Sequence, residues 1–518
     1  MFAAVYGMTV IGLQAHLIRV EVDVSNGLPS FEIVGLPATA VREARDRVRS
    51  AIRNSGYQFP LQRVTVNLAP ADLRKEGSGL DLPIALGILA ATGQCTSPLL
   101  NKYVFSGELS LEGVLRPVPG VLTMAITLDR ENLKVGTAER LITEALSLIV
   151  PPDNLAEARL VTGLETHSTF ILDQIVKAVE NKSEFKADEI SRVPQPEANL
   201  ELKVDWADIH GQQQAKRALE IAAAGGHNVI LIGPPGSGKT LLAKAYAGIL
   251  PLLSDQESIE VTQLFSVCGM LKNNGSLVQH RPFRNPHHTV TKAGMIGGGR
   301  DLRPGELSFA NHGVLFLDEL PEFAREVLEC LRQPLEDREL TITRQTGSIT
   351  YPAHISVIAS MNPCQCGYYG DRGRRCSCSP MQIQNYRGKI SGPLLDRFDL
   401  HVEVPRLNYA ELKERNGNES SQAVRERVMA ARRTQWSRLG SAKTNAEMTA
   451  KETKRFGELT SSGELLLQRI FDSQQLSARA HDRILRVART IADLADSSDI
   501  SAEHLAESLQ FRTLDKRL

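Results

Sequence analysis

The segment LIGPPGSGKT, residues 231–240, matches the pattern G-x-x-x-x-G-K-[S/T] from Gly233 to Thr240, behind an apolar run and ahead of a helical one. That context makes the expected nucleotide-binding residues Gly233, Pro234, Pro235, Gly236, Ser237, Gly238, Lys239 and Thr240. Gly236 and Gly238 let backbone amides turn inward toward phosphate oxygens, and the helix start adds its positive end. Lys239 is expected to reach the β- and γ-phosphates of ATP and Thr240 to hold Mg2+. Further on, LFLDEL ends an apolar strand in Asp318 and Glu319. Asp318 is placed to complete the Mg2+ shell and Glu319 to polarise the attacking water. A third apolar run, HISVIASMNP, ends in Asn362, a polar residue expected at the same sheet edge and able to orient that water. Phosphoryl transfer also needs positive charge on the departing phosphate, one arginine often coming from a neighbouring subunit. Arg397 in LLDRFD and Arg479 in SARAHDRILRVARTIADL are available. Taken singly, arginines of this kind are ordinarily solvated or salt-bridged.

A second cluster lies in NPCQCGYYGDRGRRCSC, which pairs Cys364 with Cys366 and Cys376 with Cys378 across a nine-residue loop. Four thiolates held by a short loop can close a tetrahedral Zn2+ site and so order an insert, 363–379, too small for its own core. The C-x-C spacing is less common than C-x-x-C, which leaves free buried or redox thiols as the alternative. It matches neither ferredoxin pattern. Arg372, Arg374 and Arg375 beside Tyr368 and Tyr369 form a basic-aromatic patch suited to gripping phosphates and stacking on bases of DNA, with a plain solvated loop as the rival reading. Because the insert hangs between Asn362 and Arg397, whatever it touches could be felt at the ATP site. His287 and His288 in NPHHT are expected to splay apart, which favours hydrogen bonding or DNA contact over metal binding.

These residues need scaffolds. A chain of 518 residues is too long for one core. Its 60 basic and 60 acidic side chains balance, so any nucleic-acid contact must come from a local patch. No basic leader and no run of apolar residues long enough to span a membrane is present, and a cytoplasmic protein with no membrane partner is expected. Cys95, Cys268 and Cys330 read as small core residues. Residues 1–172 alternate β-branched runs with helical patterns, as a compact α/β domain does. Residues 173–203 carry linker composition. Residues 204–405 contain the unbroken apolar strands of a parallel sheet covered on both faces. Residues 406–518 are charged and helical.

The ordered set GPPGSGKT, LFLDEL, SMNP, LLDRFD and SARAHDRILRVARTIADL resembles the AAA+ ATPases of the magnesium-chelatase class. With FEIVGLPATAVREARDRVRSAI, VNLAPADLRKEGSGLDLPIALGILAA and FRNPHHTVTKAGMIGGG added, the chain resembles, essentially end to end, the ComM/YifB group, bacterial proteins tied to DNA branch migration in natural transformation. The engine motifs are shared by many AAA+ proteins; the last three are more particular. The resemblance implies an α/β protein with a Lon-protease-like α+β N-terminal domain, an AAA+ P-loop core with a parallel sheet, and a C-terminal helical lid. It also implies sensor 1 at Asn362, a trans-acting arginine finger at Arg397, sensor 2 at Arg479, and a hexameric ring, since a finger in trans needs a neighbour. Two insertions would face the pore: the segment 284–300 and the hairpin LTITRQTGSITYPA, whose tip brackets Gln345, Thr346 and Gly347 with Arg344 beside it as a DNA-backbone contact. In the Lon-like domain the nucleophile position holds Gly79, and Leu122 stands where the partner lysine belongs. Ser78, one position off, has no lysine assigned, so no peptidase activity is expected, and the domain is expected to aid assembly or DNA binding. The expected function is an ATP-dependent, ring-forming DNA motor or helicase. The rivals are a metal-chelatase motor, a protein-remodelling ATPase and a non-enzymatic DNA scaffold; the complete phosphate-handling set argues against the last.

Overall fold

A computed structural model describes residues 1–134, 144–180, 204–271, 275–299, 302–344, 347–371, 373–408, 411, 419–474 and 477–512. The 181–203 part of the expected linker, Arg300, the hairpin-tip residues Gln345 and Thr346, and Arg372 therefore lie outside the described residues. The fold divides into two units, Met1–Ala198 with Asp255–Gln279, and Asn199–Ser254 with His280–Leu518.

The first unit is built on β1 (Phe2–Ile11), β2 (Gln14–Ser25), β3 (Ser30–Val34), α1 (Thr39–Asn54), β4 (Arg63–Ala69), α2 (Asp81–Ala91), β5 (Tyr103–Phe105), α3 (Val121–Leu133), β6 (Ser147–Val150), α4 (Pro152–Ala158) and β7 (Thr166–Ser168). Its seven-stranded sheet runs β3-β4-β2-β1-β5-β6-β7, antiparallel at β1/β2 and β2/β4 and parallel elsewhere. Alternation decides the face: Ile18, Val20, Val22 and Val24 of β2 and Val64, Val66 and Leu68 of β4 are buried, against α1 residues at helical spacing, Val41, Ala44, Val48 and Ile52. Ser78 donates to Glu108, the Lys75 ammonium donates to the Pro70 carbonyl, and Leu122 is buried.

The helix Asp255–Val267 follows the phosphate-loop helix along the chain yet belongs to the first unit. The domain scheme drawn along the sequence placed it within 204–405. Its anchor is Glu157, which is 9% exposed and accepts from Ser266 Oγ and, at 2.9 Å, from the Leu122 amide, while the Ser266 carbonyl accepts from Gly120 N at 3.0 Å. Glu157→Ala leaves these buried donors unpaired and is expected to cost about 2–3 kcal/mol, read as a lowered midpoint in denaturant; Glu157→Gln, which keeps an acceptor oxygen, should cost less.

The second unit contains α5 (Gln213–Gly225), β8 (Val229–Ile232), α6 (Lys239–Ile249), β9 (Phe283–Arg284), β10 (Val314–Leu317), β11 (Glu339–Arg344), β12 (Gly347–Pro352), β13 (Ser356–Met361), α7 (Pro380–Arg387), β14 (Leu400–Glu403), α8 (Ser421–Leu439), α9 (Ala478–Leu494) and α10 (Ala502–Gln510). Five parallel strands run β9-β10-β13-β8-β14. The strands β8 and β10 are wholly apolar because helices cover both faces, and α5 is alanine-rich because α6, α8 and α9 all close on it. This order puts β13 between the phosphate-loop strand β8 and the acidic strand β10. Register aligns Ile232 with Met361 and Leu317 with Ala359, so the loops after all three strands open at one carboxyl edge. The C-terminal part is helical, as expected.

His401 on β14 is buried, and its pKa is pushed down from 6.5 to about 3, chiefly by burial and then by the Arg512 charge. The unfolded chain therefore takes up the proton first as pH falls below 6.5. The loss runs from that pH down to about 3 and is steepest, about 1.4 kcal/mol of stability per pH unit, between about pH 5.5 and 4. His401→Leu should flatten that part of the stability–pH curve.

Candidate nucleotide site and cysteine knuckle

The phosphate loop joins the buried strand β8 to α6, with Gly236 and Gly238 at φ of 75° and 90°, left-handed values that glycine reaches without strain. Lys239 points back into the loop. Its ammonium donates to Gly233 O at 2.7 Å, Pro234 O at 3.0 Å and Asn362 Oδ1 at 3.3 Å. Burial holds its pKa below the ordinary lysine value, partly opposed by the charges of Asp318 and Glu319. Thr240 Oγ1 donates to Asp318 Oδ2 at 3.1 Å. The structure thus brings together Lys239, Thr240, Asp318 and Asn362, from three neighbouring strand ends.

Glu319 leaves the strand at φ 55°, an uncommon value for a non-glycine residue. Its amide is held by Asp318 Oδ1 at 3.1 Å and Ser360 Oγ at 3.3 Å, and Ser360 in turn donates to Asp318 Oδ1. The carboxylate of Glu319 faces His288 Nδ1 at 3.9 Å. Ser360 is a site residue that sequence reasoning missed, and His288, read from sequence as a hydrogen-bonding or DNA-contact residue, faces Glu319. The signal for Ser360 was a hydroxyl near the end of the ISVIASM run, whose only other polar residue, Ser356, opens the strand.

His287 and His288 do not splay apart: their rings lie 4.1 Å apart, centroid to centroid. Val290 N donates to His287 O at 2.9 Å and closes a turn, in which adjacent side chains can lie side by side. His287 Nδ1 lies 2.9 Å from Thr289 Oγ1.

Arg397 and Arg479 are brought to each other rather than to the phosphate loop. With Glu336, Asp482, Arg483 and Arg486 they line a cavity of 270 Å³. Arg397, its side chain 13% exposed, donates to Glu336 and, at 3.0 Å, to Pro393 O. Among the described residues, no hydrogen bond or ion pair joins either arginine to Lys239, Thr240 or Asp318.

The four cysteines converge. Their sulfurs all lie within 4.8 Å of one another, and Cys364, Cys366 and Cys376 are 3.4, 3.7 and 3.5 Å apart pairwise. Sulfurs at the corners of a tetrahedron about 2.3 Å from a central Zn2+ are separated by about 3.8 Å, so the donor set and its spacing fit that ion. The thiols titrate as a group: amides of Tyr368 and Ser377 hold Cys366 down to about 5, while Cys376 is raised to about 12 and Cys378 is raised, each against a backbone amide bond, by burial and by bonds to Cys366 and Cys364.

Of the expected DNA contacts, Arg375 is exposed, and Arg374 is turned onto Tyr368, its guanidinium 5.2 Å from the ring centroid and 2.8 Å from the hydroxyl. Arg344 ends β11 on an exposed antiparallel hairpin with β12. The hairpin meets the other insertion at Gly297, where a Cβ would stand 2.9 Å from Ile342 Cδ1, and Tyr351 Oη donates to Leu302 O, just past that insertion, at 2.9 Å. Arg284 is committed to Glu306 through two bonds of 2.7 and 2.8 Å. Among the described residues no helix is long and apolar enough to cross a membrane.

Comparison with known proteins adds the lineage. Residues 205–412 match the family described as magnesium chelatase, subunit ChlI, residues 20–136 match subunit ChlI of Mg-chelatase, and residues 418–512 match its C-terminal part. The chain is 43% identical to the competence protein ComM of Haemophilus influenzae over 100% of its own length and 98% of that protein's. It is 43% identical to YifB of Escherichia coli, covering 99% of this chain and 97% of the relative. The chain belongs to the ComM/YifB family of magnesium-chelatase-like proteins. As such it is an AAA+ ATPase of the ComM family. The 38 kDa magnesium-chelatase subunit of Cereibacter sphaeroides is more distant, 25% identical over 38% of this chain and 58% of that protein.

Proposed function

We propose that this ComM/YifB protein is a Mg-ATP-driven DNA motor that assembles as a ring, hydrolyses ATP at subunit junctions and promotes branch migration of recombination intermediates. The observation that carries the ATP chemistry is the convergence of Lys239, Asn362, Thr240 and Asp318 at one sheet edge. The Lys239 ammonium, now satisfied by loop carbonyls, exchanges them for β- and γ-phosphate oxygens. Residues 233–240 wrap the phosphates with backbone amides. The hydroxyl of Thr240 and the carboxylate of Asp318 are an all-oxygen pair suited to Mg2+, which neutralises charge on the phosphates when bound. Glu319 takes the proton of the attacking water, which Asn362 orients. Ser360 fixes Asp318, and His288 sits where it can tune Glu319.

Arg397 and Arg479 serve the nucleotide of the adjoining subunit, and their shared cavity is where its γ-phosphate enters. The DNA side of the proposal rests on kinship with a competence protein and on exposed cations at the hairpin and knuckle, Arg344, Arg374 and Arg375, with Arg372 in the same run of sequence. A hexamer, a cytoplasmic location and a catalytically inactive Lon-like domain over 1–172 complete the reading, with 204–405 apart from 255–279 as core and 406–518 as lid. Zn2+ on the four cysteines is its structural cofactor, and metal analysis of purified protein should find one zinc per chain. The deciding experiment measures ATP turnover with and without single-stranded, duplex and branched DNA, coupled to strand displacement. Branched DNA should raise turnover and strands should separate. Turnover indifferent to every DNA would favour a chelatase-type or protein-remodelling motor instead.

A further inference from the structure

The cysteine knuckle does more than dangle between Asn362 and Arg397. Gly367, one residue past Cys366, lays its bare face on the phosphate loop: a Cβ there would stand 2.7 Å from Cδ and 2.9 Å from Cγ of Pro235, and 3.9 Å from Asn362 Cγ. Its φ of 86° is a value that side chains rarely adopt, and its amide donates to Cys364 O at 3.0 Å, so the turn between the first two cysteines is what carries the contact. Both ends of the insert are tied to the same region. Pro363 O accepts from Arg387 Nε at 3.2 Å, and Ser379, directly after Cys378, caps the helix that brings Arg387 back. Between these ends the insert's large side chains stay near the surface, with Tyr369 44% exposed and Cys364 buried at its root. What can hold Gly367 against Pro235 is the four-sulfur cluster.

We infer that the metal-closed knuckle is a buttress for the phosphate loop, so that affinity for Mg-nucleotide depends on Zn2+ bound some residues away from it. This rests on the zinc reading above and adds a consequence to it. The chain of contacts is short: the sulfurs fix the Cys364–Cys366 turn, the turn seats Gly367, Gly367 backs the Pro235 ring, and Pro234 and Gly233 present the carbonyls that Lys239 grips. On the other side Asn362, two residues before Cys364, is bonded to Lys239 itself. Losing the metal frees both walls of the loop together, and ordering them again on binding then costs affinity. Among the described residues no hydrogen bond joins the knuckle to Lys239 or Thr240, so the effect belongs in nucleotide affinity before it appears in turnover.

The test uses the full-length chain and three readouts: zinc per chain, the dissociation constant for a fluorescent N-methylanthraniloyl-ADP with Mg2+, and the thermal midpoint. Stripping zinc with a chelator and desalting should raise the dissociation constant about tenfold, and adding Zn2+ back should restore it. Cys376→Ser with Cys378→Ser should reproduce the stripped state without rescue. Gly367→Val keeps the cysteines, so it should keep its zinc while weakening nucleotide to a similar degree. Zinc-free protein that binds within about twofold of the loaded form would overturn the buttress while leaving the zinc site standing. So would a zinc-replete Gly367→Val of unchanged affinity, which decides the matter if the double cysteine variant fails to fold. Purified wild type without stoichiometric zinc contradicts the metal reading itself, whatever its affinity. Wild type that binds no Mg-nucleotide contradicts the ATPase reading.

Discussion

Lys239→Ala is expected to lower ATP hydrolysis at least about a hundredfold, because it removes the one cation that the chain's own phosphate loop holds against the transferring group. The ammonium makes three hydrogen bonds without nucleotide, to Gly233 O, Pro234 O and Asn362 Oδ1. It is therefore already positioned before ATP arrives, and it has only to exchange two carbonyls for phosphate oxygens. Alanine also leaves Asn362 without its partner, so water positioning should suffer along with phosphate binding. The global fold should survive, since the strands on either side are packed by apolar contacts that this side chain does not share. A thermal midpoint close to wild type with turnover at background is the expected pair of readings, and retained turnover would show the site to be elsewhere.

Arg397→Ala is expected to lower hydrolysis by about a thousandfold while leaving nucleotide affinity nearly intact. The asymmetry follows from position. The guanidinium is bonded to Glu336 and Pro393 of its own chain inside the 270 Å³ cavity, and no bond joins it to Lys239 or Asp318 among the described residues. On the proposed reading, the phosphate that this guanidinium acts on is brought in by another chain. It then releases Glu336, a partner 61% exposed and so readily solvated. Lost affinity together with lost turnover would instead mark Arg397 as part of its own chain's nucleotide pocket.

The parts of this protein that were legible in sequence are those whose chemistry is local. Residues 233–240 declare themselves because glycines, lysine and threonine must follow one another for a backbone to wrap phosphate. Unbroken apolar strands ending in Asp318 and Asn362 declare a buried parallel sheet. The four cysteines converge as their bunching suggested. What escaped depends on partners far along the chain. The helix Asp255–Val267 carries no mark saying that Ser266 will meet Glu157 rather than the neighbouring core. Ser360 looked like one small residue in a strand until register set it beside Asp318. His287 and His288 were misread because neighbours in a turn need not splay apart, and a turn carries them. Arg374 had a partner six residues back in Tyr368, and a patch of charges read one by one does not reveal that self-association.

The shared pocket between adjoining chains is tested most directly by mixing two inactive variants. Lys239→Ala chains keep Arg397, and Arg397→Ala chains keep Lys239. Co-assembled in equal amounts and at random, about a quarter of junctions pair an intact lysine with an intact arginine from the neighbour. Turnover of the mixture is predicted to rise well above that of either variant alone, toward about a quarter of wild type. A mixture as inactive as its components, in assemblies shown to contain both chains, would contradict the account.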